Sequence, residues 1–137
     1  MAEGVFRKMV IKEGLDSKIQ VSSAGLGDWH LGQRPHKDTL AILDKYEIPH
    51  DWMISKQLQL KDLETYDYII AMDSKNVEGL QQFGDMKHIK VFKLLDLVEE
   101  SELKDVPDPY YTKNFDEVYA LVSIGCDKLL EKIKIDL

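Results

Sequence analysis

The sequence predicts an α/β domain built on an open parallel sheet flanked by helices. Residues 68–72 form a continuous apolar run, the pattern of a strand buried on both faces of a parallel sheet. Apolar residues at helical spacing occur before and after this run, and turn-forming residues separate the segments. The length of 137 residues fits one domain, so we expect residues 1–137 to form a single domain.

The first part of the chain predicts a helix, a strand and a long loop. Residues 2–14 place Val5 and Met9 on one helical face, but no Ser, Thr, Asp or Asn precedes this helix to cap its free N–H groups. Residues 19–23 are predicted as a strand. Residues 24–36 form a loop of thirteen residues, rich in glycine, whose length indicates function rather than simple connection.

The remaining elements alternate between helix and strand. Ile48-Pro49 ends the second helix, and Asp73-Ser74 opens a later one directly after the apolar strand. In chain order we predict a helix over 38–46, a short helix over 60–65, a strand over 68–72, a helix from 73 or 74 to 82, a strand over 89–92, a polar segment, and a last helix from 114 or 115 to about 133.

Charge and composition exclude several classes of protein. Eighteen Lys and Arg residues against 25 Asp and Glu residues give a net charge of -7, which argues against a nucleic-acid-binding protein. No apolar run approaches the roughly 18 residues of a membrane span, and no signal peptide is recognisable. The single cysteine cannot form an internal disulfide, and no Cys/His pattern resembles a zinc site, so a reducing cytoplasm is the expected location.

The predicted sheet indicates where a site would lie. Ligands of open α/β sheets bind beyond the carboxyl ends of the strands. The loops after Ser23, after Met72 and around Asp108 are expected at that edge. From the residues alone, the sequence predicts a site there and does not specify its reaction.

Four segments together resemble the low-molecular-weight protein tyrosine phosphatases: MAEGVFRK, SSAGLGDWHLGQRPH, YDYIIAMDSKN and VPDPYYTKNFDEVY. The resemblance covers essentially the whole chain, in the right order. It implies the fold of that family and hydrolysis of phosphotyrosine through a cysteinyl-phosphate, without metal or organic cofactor. The implied substrate is a phosphotyrosine protein or a small aryl phosphate, with neither a nucleic acid nor a membrane as partner.

The family's phosphate-binding loop, Cys-x5-Arg-Ser-Pro, has no counterpart in this sequence. The residues that follow this loop in the family resemble residues 1–7 here, so the resemblance implies a truncated chain that lacks the first central strand, the nucleophile and the arginine. We therefore expect residues 1–137 to be inactive alone. The alternative is a non-catalytic, phosphatase-like protein that acts in binding or assembly.

The missing strand would lie between residues 19–23 and residues 68–72, in the middle of a four-stranded sheet in the family. Its absence would remove ladder hydrogen bonds from both neighbours. We expect the remaining sheet to close up, to self-associate through its exposed edges by borrowing a strand from a partner chain, or to be poorly stable.

Four residues are candidates for the site by this resemblance. Asp108 would protonate the leaving tyrosine oxygen and then activate water, whereas Asp-Pro without the resemblance favours a simple turn. Trp29 and Tyr110 would line the slot for a phosphotyrosine ring, and Tyr111 is grouped with them as substrate-binding. The alternative for these aromatic residues is packing of the loops against the domain.

Other polar residues are expected to have structural or no roles. Ser23 matches a serine that supports the phosphate loop, and without that loop we expect it to have no partner. Asp73 is expected to cap the next helix. Cys126 lies within the last helix, outside any Cys-x5-Arg context, and is expected to be a buried, inert thiol. A single cysteine also excludes the disulfide relay of the related arsenate reductases, and the four histidines do not cluster at ligand spacing.

Overall fold

The computed structural model describes residues 1–26, 32–84, 89–107 and 113–137. Helices and strands alternate from Leu60 onwards, as the sequence predicts, and the elements that form have boundaries within three residues of the predicted ones. The elements are α1 (Ala2–Lys12), α2 (Lys37–Lys45), α3 (Leu60–Thr65), β1 (Tyr68–Ala71), α4 (Ser74–Leu80), β2 (Lys90–Lys93) and α5 (Phe115–Asp136), with 3₁₀ turns at Gln81–Phe83 and Leu94–Leu97.

The strands β1 and β2 form a parallel pair. Tyr68 is opposite Lys90 and Ala71 is opposite Lys93. Parallel neighbours need a crossover connection, and α4 lies within the one that joins them. The pair therefore keeps the βαβ arrangement predicted from the sequence, and its carboxyl ends point towards the start of α4.

The core lies where α5 packs against α1 and the 3₁₀ turn after β2. Leu94 and Leu95 of that turn are almost completely buried, although the sequence predicted a polar segment there. Gly125 of α5 allows the close approach, since a Cβ at this position would lie 2.5 Å from Cγ of Leu94. None of the helices in the described ranges is long and apolar enough to cross a membrane.

The strand predicted over residues 19–23 does not form. Among the described residues, backbone hydrogen bonds join this stretch to no other strand, and the nearest pairing is one bridge between Gly25 and Gln57. Side chains hold it instead: Arg7 Nη2 donates to the Val21 carbonyl at 2.7 Å, and the Ser22 hydroxyl donates to the Tyr66 hydroxyl at 2.7 Å. The prediction was wrong because a strand exists only where a second edge pairs with it.

A cavity of about 1520 Å³, which we call the central groove, separates residues 18–26 from β1. It lies between the two segments that, by the resemblance, flank a further strand. The sheet therefore does not close up. The groove also reaches Met1 at the start of α1, where no side chain caps the helix, as the sequence predicted.

Candidate functional site

The carboxyl end of β1 leads directly into a capped helix. The Asp73 carboxylate accepts a hydrogen bond from the Asn76 backbone N–H at 2.8 Å, which confirms its predicted capping role. The Asn76 side-chain oxygen in turn accepts from the Met72 N–H at 3.1 Å. These local bonds fix the turn between β1 and α4 at the edge where a site was expected.

A polar cluster that sequence analysis missed lies at the same edge. Asp105 accepts hydrogen bonds from Lys93 Nζ at 3.0 Å, from the Ser74 N–H at 3.1 Å and from the Ser74 hydroxyl at 3.0 Å. The Lys93 ammonium, followed by the Ser74 donors, lowers the pKa of Asp105 below its usual value. The cluster joins residues that are 12 and 31 positions apart, so no local sequence signal points to it.

The same edge anchors the segment that leads to Asp108. The Val106 N–H donates to the Met72 carbonyl at 2.8 Å, and Asp105 is bound as described above. The backbone two residues before Asp108 is therefore fixed to the end of β1. Asp105 and Val106 therefore lie at the edge of the sheet where the sequence predicted a site.

The four candidate residues themselves, Trp29, Asp108, Tyr110 and Tyr111, lie outside the described residues and stay predictions. The described residues beside two of these segments line the same groove. Leu26 and Pro107, the last described residues before the two segments that contain them, both line the central groove.

Ser23 has a partner, contrary to the expectation from the sequence. Its hydroxyl donates a hydrogen bond to the Glu3 carboxylate. Glu3 also pairs with Arg7 at 3.1 Å, so the end of the 19–23 stretch is tied to the first turn of α1. The expectation failed because it considered only the missing loop as a partner and not the helix that follows it.

Cys126 is a buried thiol, as predicted. Its side chain is 1% exposed, and Sγ lies 4.0 Å from the Ala2 carbonyl oxygen. Burial among apolar side chains raises the pKa of Cys126 to about 12. The thiolate, which is the nucleophilic form, is therefore almost absent at neutral pH.

Ellman's reagent is expected to leave Cys126 unmodified in the folded chain at pH 8 and to titrate one thiol per chain in urea. A pKa near 12 instead of 9 lowers the thiolate fraction by about a thousandfold. The raised pKa stabilises the fold below pH 9, and this contribution declines as the pH rises from 9 towards 12. Rapid modification of the folded chain would contradict the assignment of an inert thiol.

The histidines of the described chain have structural contacts. His36 caps α2, since its Nδ1 accepts from the Asp38 N–H at 3.1 Å. His50 contacts Arg34 at 2.8 Å and Asp44 at 2.7 Å. Across the four described ranges, no group of three or more His, Cys, Asp or Glu residues could hold a metal ion.

Sequence comparison identifies the family. The sequence model described as "Low molecular weight phosphotyrosine protein phosphatase" matches residues 1–137. The chain belongs to this family. It is similar to the low-molecular-weight protein-tyrosine-phosphatase YfkJ of Bacillus subtilis, with 48% identity over 137 residues that cover 98% of this chain and 86% of YfkJ. It is also 44% identical to PtpA of Staphylococcus epidermidis over 133 residues, which cover 97% of this chain and 84% of PtpA.

Solved structures of protein tyrosine phosphatases share the fold. The crystal structure of YfkJ matches with a TM-score of 0.92 and 46% identity, covering 98% of this chain and 86% of that one. A protein tyrosine phosphatase from Entamoeba histolytica matches with a TM-score of 0.90 and 29% identity, covering 98% and 88% of the two chains. The α/β fold predicted from the sequence is thus confirmed. The family match runs from residue 1, so the comparisons lend no support to the expected truncation.

Proposed function

We propose that this chain acts in the hydrolysis of phosphotyrosine, on proteins or on small aryl phosphates, through a cysteinyl-phosphate. The observation that carries the proposal is the family match over all of residues 1–137. The named relatives are protein-tyrosine-phosphatases, and the fold agrees with theirs. The single, buried cysteine fits a reducing compartment, and we place the chain in the cytoplasm.

In this function Asp108 donates a proton to the leaving tyrosine oxygen and then takes a proton from the attacking water. Trp29 and Tyr110 form the walls of the slot for the aromatic ring, with Tyr111 beside them. Leu26 and Pro107, which precede the two segments, both line the central groove, and this agrees with the grouping. The bonds of Val106 and Asp105 hold the described residues before Asp108 at the end of β1, which supports a site at this edge of the sheet.

The reaction needs a thiolate that these residues do not supply. In the proposed step a thiolate sulfur bonds to phosphorus as the phosphorus–oxygen bond to tyrosine breaks, and water later cleaves the sulfur–phosphorus bond. Cys126 is the one cysteine of the sequence, and its burial and raised pKa exclude it from this role. Residues 1–137 alone are therefore proposed to be inactive.

The test supplies a cysteine and an arginine in the context that the family uses. A version of the chain that carries an apolar strand and the family's Cys-x5-Arg-Ser-Pro loop before Met1 should hydrolyse p-nitrophenyl phosphate. Replacing the loop cysteine with serine should remove the activity, because serine lacks the thiolate. A cooperatively folded loop version with no turnover would contradict the proposed phosphatase function.

The inert thiol favours a second candidate function, which is binding without catalysis. A non-catalytic protein with this fold would bind a phosphotyrosine peptide without turnover. Isothermal titration of residues 1–137 with such a peptide distinguishes the two functions. The non-catalytic function is favoured if residues 1–137 bind the peptide and the loop-carrying version also binds it without hydrolysing it.

A further inference from the structure

Ser74, Lys93 and Asp105, which we call the Asp105 cluster, join three parts of the chain at the carboxyl edge of the sheet. Ser74 begins α4 directly after β1, and Lys93 is the last residue of β2. Asp105 belongs to the segment that precedes Asp108. The three hydrogen bonds to Asp105 all end on its Oδ1 atom. Lys93 Nζ also donates to the Ser74 hydroxyl at 3.2 Å, so each member of the cluster contacts the other two.

The residue after Asp105 is anchored as well. The Val106 N–H donates to the Met72 carbonyl at 2.8 Å, and the Val106 side chain is buried in the core. Only Pro107 separates Val106 from Asp108 in the sequence. A proline ring fixes its own φ and restricts the residue before it. Two consecutive anchored residues and a proline therefore leave the backbone few rotations between the end of β1 and Asp108.

The stability of the fold is a poor explanation for the Asp105 cluster. The Asp105 side chain is 49% exposed, and exposed ion pairs contribute little to global stability. The Lys93 side chain is only 20% exposed, so its ammonium group has limited freedom to move away. An ion pair that adds little stability but connects three segments has its main effect on their relative position.

The two carboxyl groups of this segment need opposite protonation states. A general acid has to carry its proton when the leaving group departs, whereas a carboxylate that binds an ammonium group has to be ionised. The hydrogen bond from Lys93, followed by those from Ser74, lowers the pKa of Asp105. Asp105 therefore stays ionised under acidic conditions that would protonate an ordinary carboxylate, and the cluster is lost only as the pH falls through this lowered pKa.

We propose that Ser74, Lys93 and Asp105 are positioning residues that fix the backbone before Asp108 and so hold this acid in place for proton donation to the leaving oxygen. Ser74 and Lys93 supply fixed points at the ends of β1 and β2, and Asp105 connects them to the segment of the acid. The chemical part of this inference rests on the proposed phosphatase function, whereas its structural part can be tested without activity.

Hydrogen exchange on residues 1–137 tests the structural part. Replacing Asp105 with alanine should speed exchange of the Val106 backbone amide by about tenfold or more and leave the amides within α5 unchanged. Glu102→Ala is the matched control, because it removes an exposed carboxylate three residues earlier on the same segment, and it should change neither. Equal exchange of Val106 in Asp105→Ala and the unmodified chain would overturn the proposal.

Kinetics of the loop-carrying version test the chemical part. Asp105→Ala and Lys93→Met should each lower kcat for p-nitrophenyl phosphate by about tenfold and leave KM within about a factor of two. Lys93→Arg keeps a cation beside Asp105 and should retain the activity. The loss should shrink for an aryl phosphate whose phenol is a stronger acid, because that leaving group needs less proton donation. An equal loss with both substrates would overturn the proposal.

A double variant separates positioning of Asp108 from an independent effect. If Asp105 acts through Asp108, Asp105→Ala should cause no further loss of kcat in the Asp108→Asn background. Losses that multiply would overturn the proposal. A folded loop-carrying version without any turnover would contradict the proposed function and with it the chemical role of the cluster. Unchanged exchange of Val106 would overturn this inference and leave the proposed function standing.

Discussion

Replacing Asp108 with asparagine in the loop-carrying version is expected to lower kcat for p-nitrophenyl phosphate by about 10²–10⁴-fold. The expected loss is that of a general acid, because asparagine cannot protonate the leaving phenolate oxygen. The loss should shrink for an aryl phosphate whose phenol is a stronger acid, since that leaving group departs without a proton. Steady-state kinetics with both substrates measures the two losses.

Asp16→Asn is the matched control for this experiment. Asp16 is an exposed residue of the turn after α1, so the same loss of charge there should leave kcat unchanged. Equal kcat values for Asp108→Asn and the unmodified loop version would contradict the acid role. An equal loss with both substrates would contradict proton donation and would favour a structural role for the Asp-Pro turn.

Replacing Leu95 with alanine is expected to lower the free energy of unfolding by about 2–5 kcal/mol, the usual cost of removing a buried leucine side chain. Leu95 is fully buried in the turn after β2, within the core that α5 also forms. Urea unfolding followed by circular dichroism measures the change.

Leu103→Ala removes the same atoms from a side chain that is 44% exposed. Surface substitutions of this kind usually change stability by about 0.5 kcal/mol or less. A similar loss for both variants would show that the 3₁₀ turn after β2 does not contribute to the core as the structure places it. The two variants together distinguish a specific loss at the buried Leu95 from a general effect of shortening a leucine, which Leu95→Ala alone does not do.

Structural elements that are set by residues close together in the chain could be predicted from the sequence. The apolar run at 68–72 predicts β1 because a strand covered on both faces has no alternation. Asp73 was predicted as a cap because the N–H that donates to its carboxylate, that of Asn76, lies only three residues later. Residues 19–23 (Ile-Gln-Val-Ser-Ser) were also predicted as a strand. Whether they pair depends on a distant edge, and that information is absent from the local pattern.

Contacts between distant residues could not be predicted. Ser23 meets Glu3 because α1 packs beside the 19–23 stretch. Asp105 meets Ser74 because the Val106 N–H, which donates to the Met72 carbonyl, brings this segment back to the end of β1. Leu94 and Leu95 follow a strand and precede acidic residues, so a polar segment was predicted, yet close packing against Gly125 buries them. The family resemblance was confirmed because it depended on whole segments of sequence and not on such pairs.

The most direct test of this account is the rate at which purified residues 1–137 hydrolyse p-nitrophenyl phosphate, compared with the Asp108→Ala variant of the same chain. The account predicts no hydrolysis above the buffer rate for either protein, because the one cysteine is buried with a pKa of about 12. Hydrolysis by the unmodified chain that the Asp108→Ala variant loses would show that residues 1–137 assemble a working site without the family's cysteine loop, and would contradict the account.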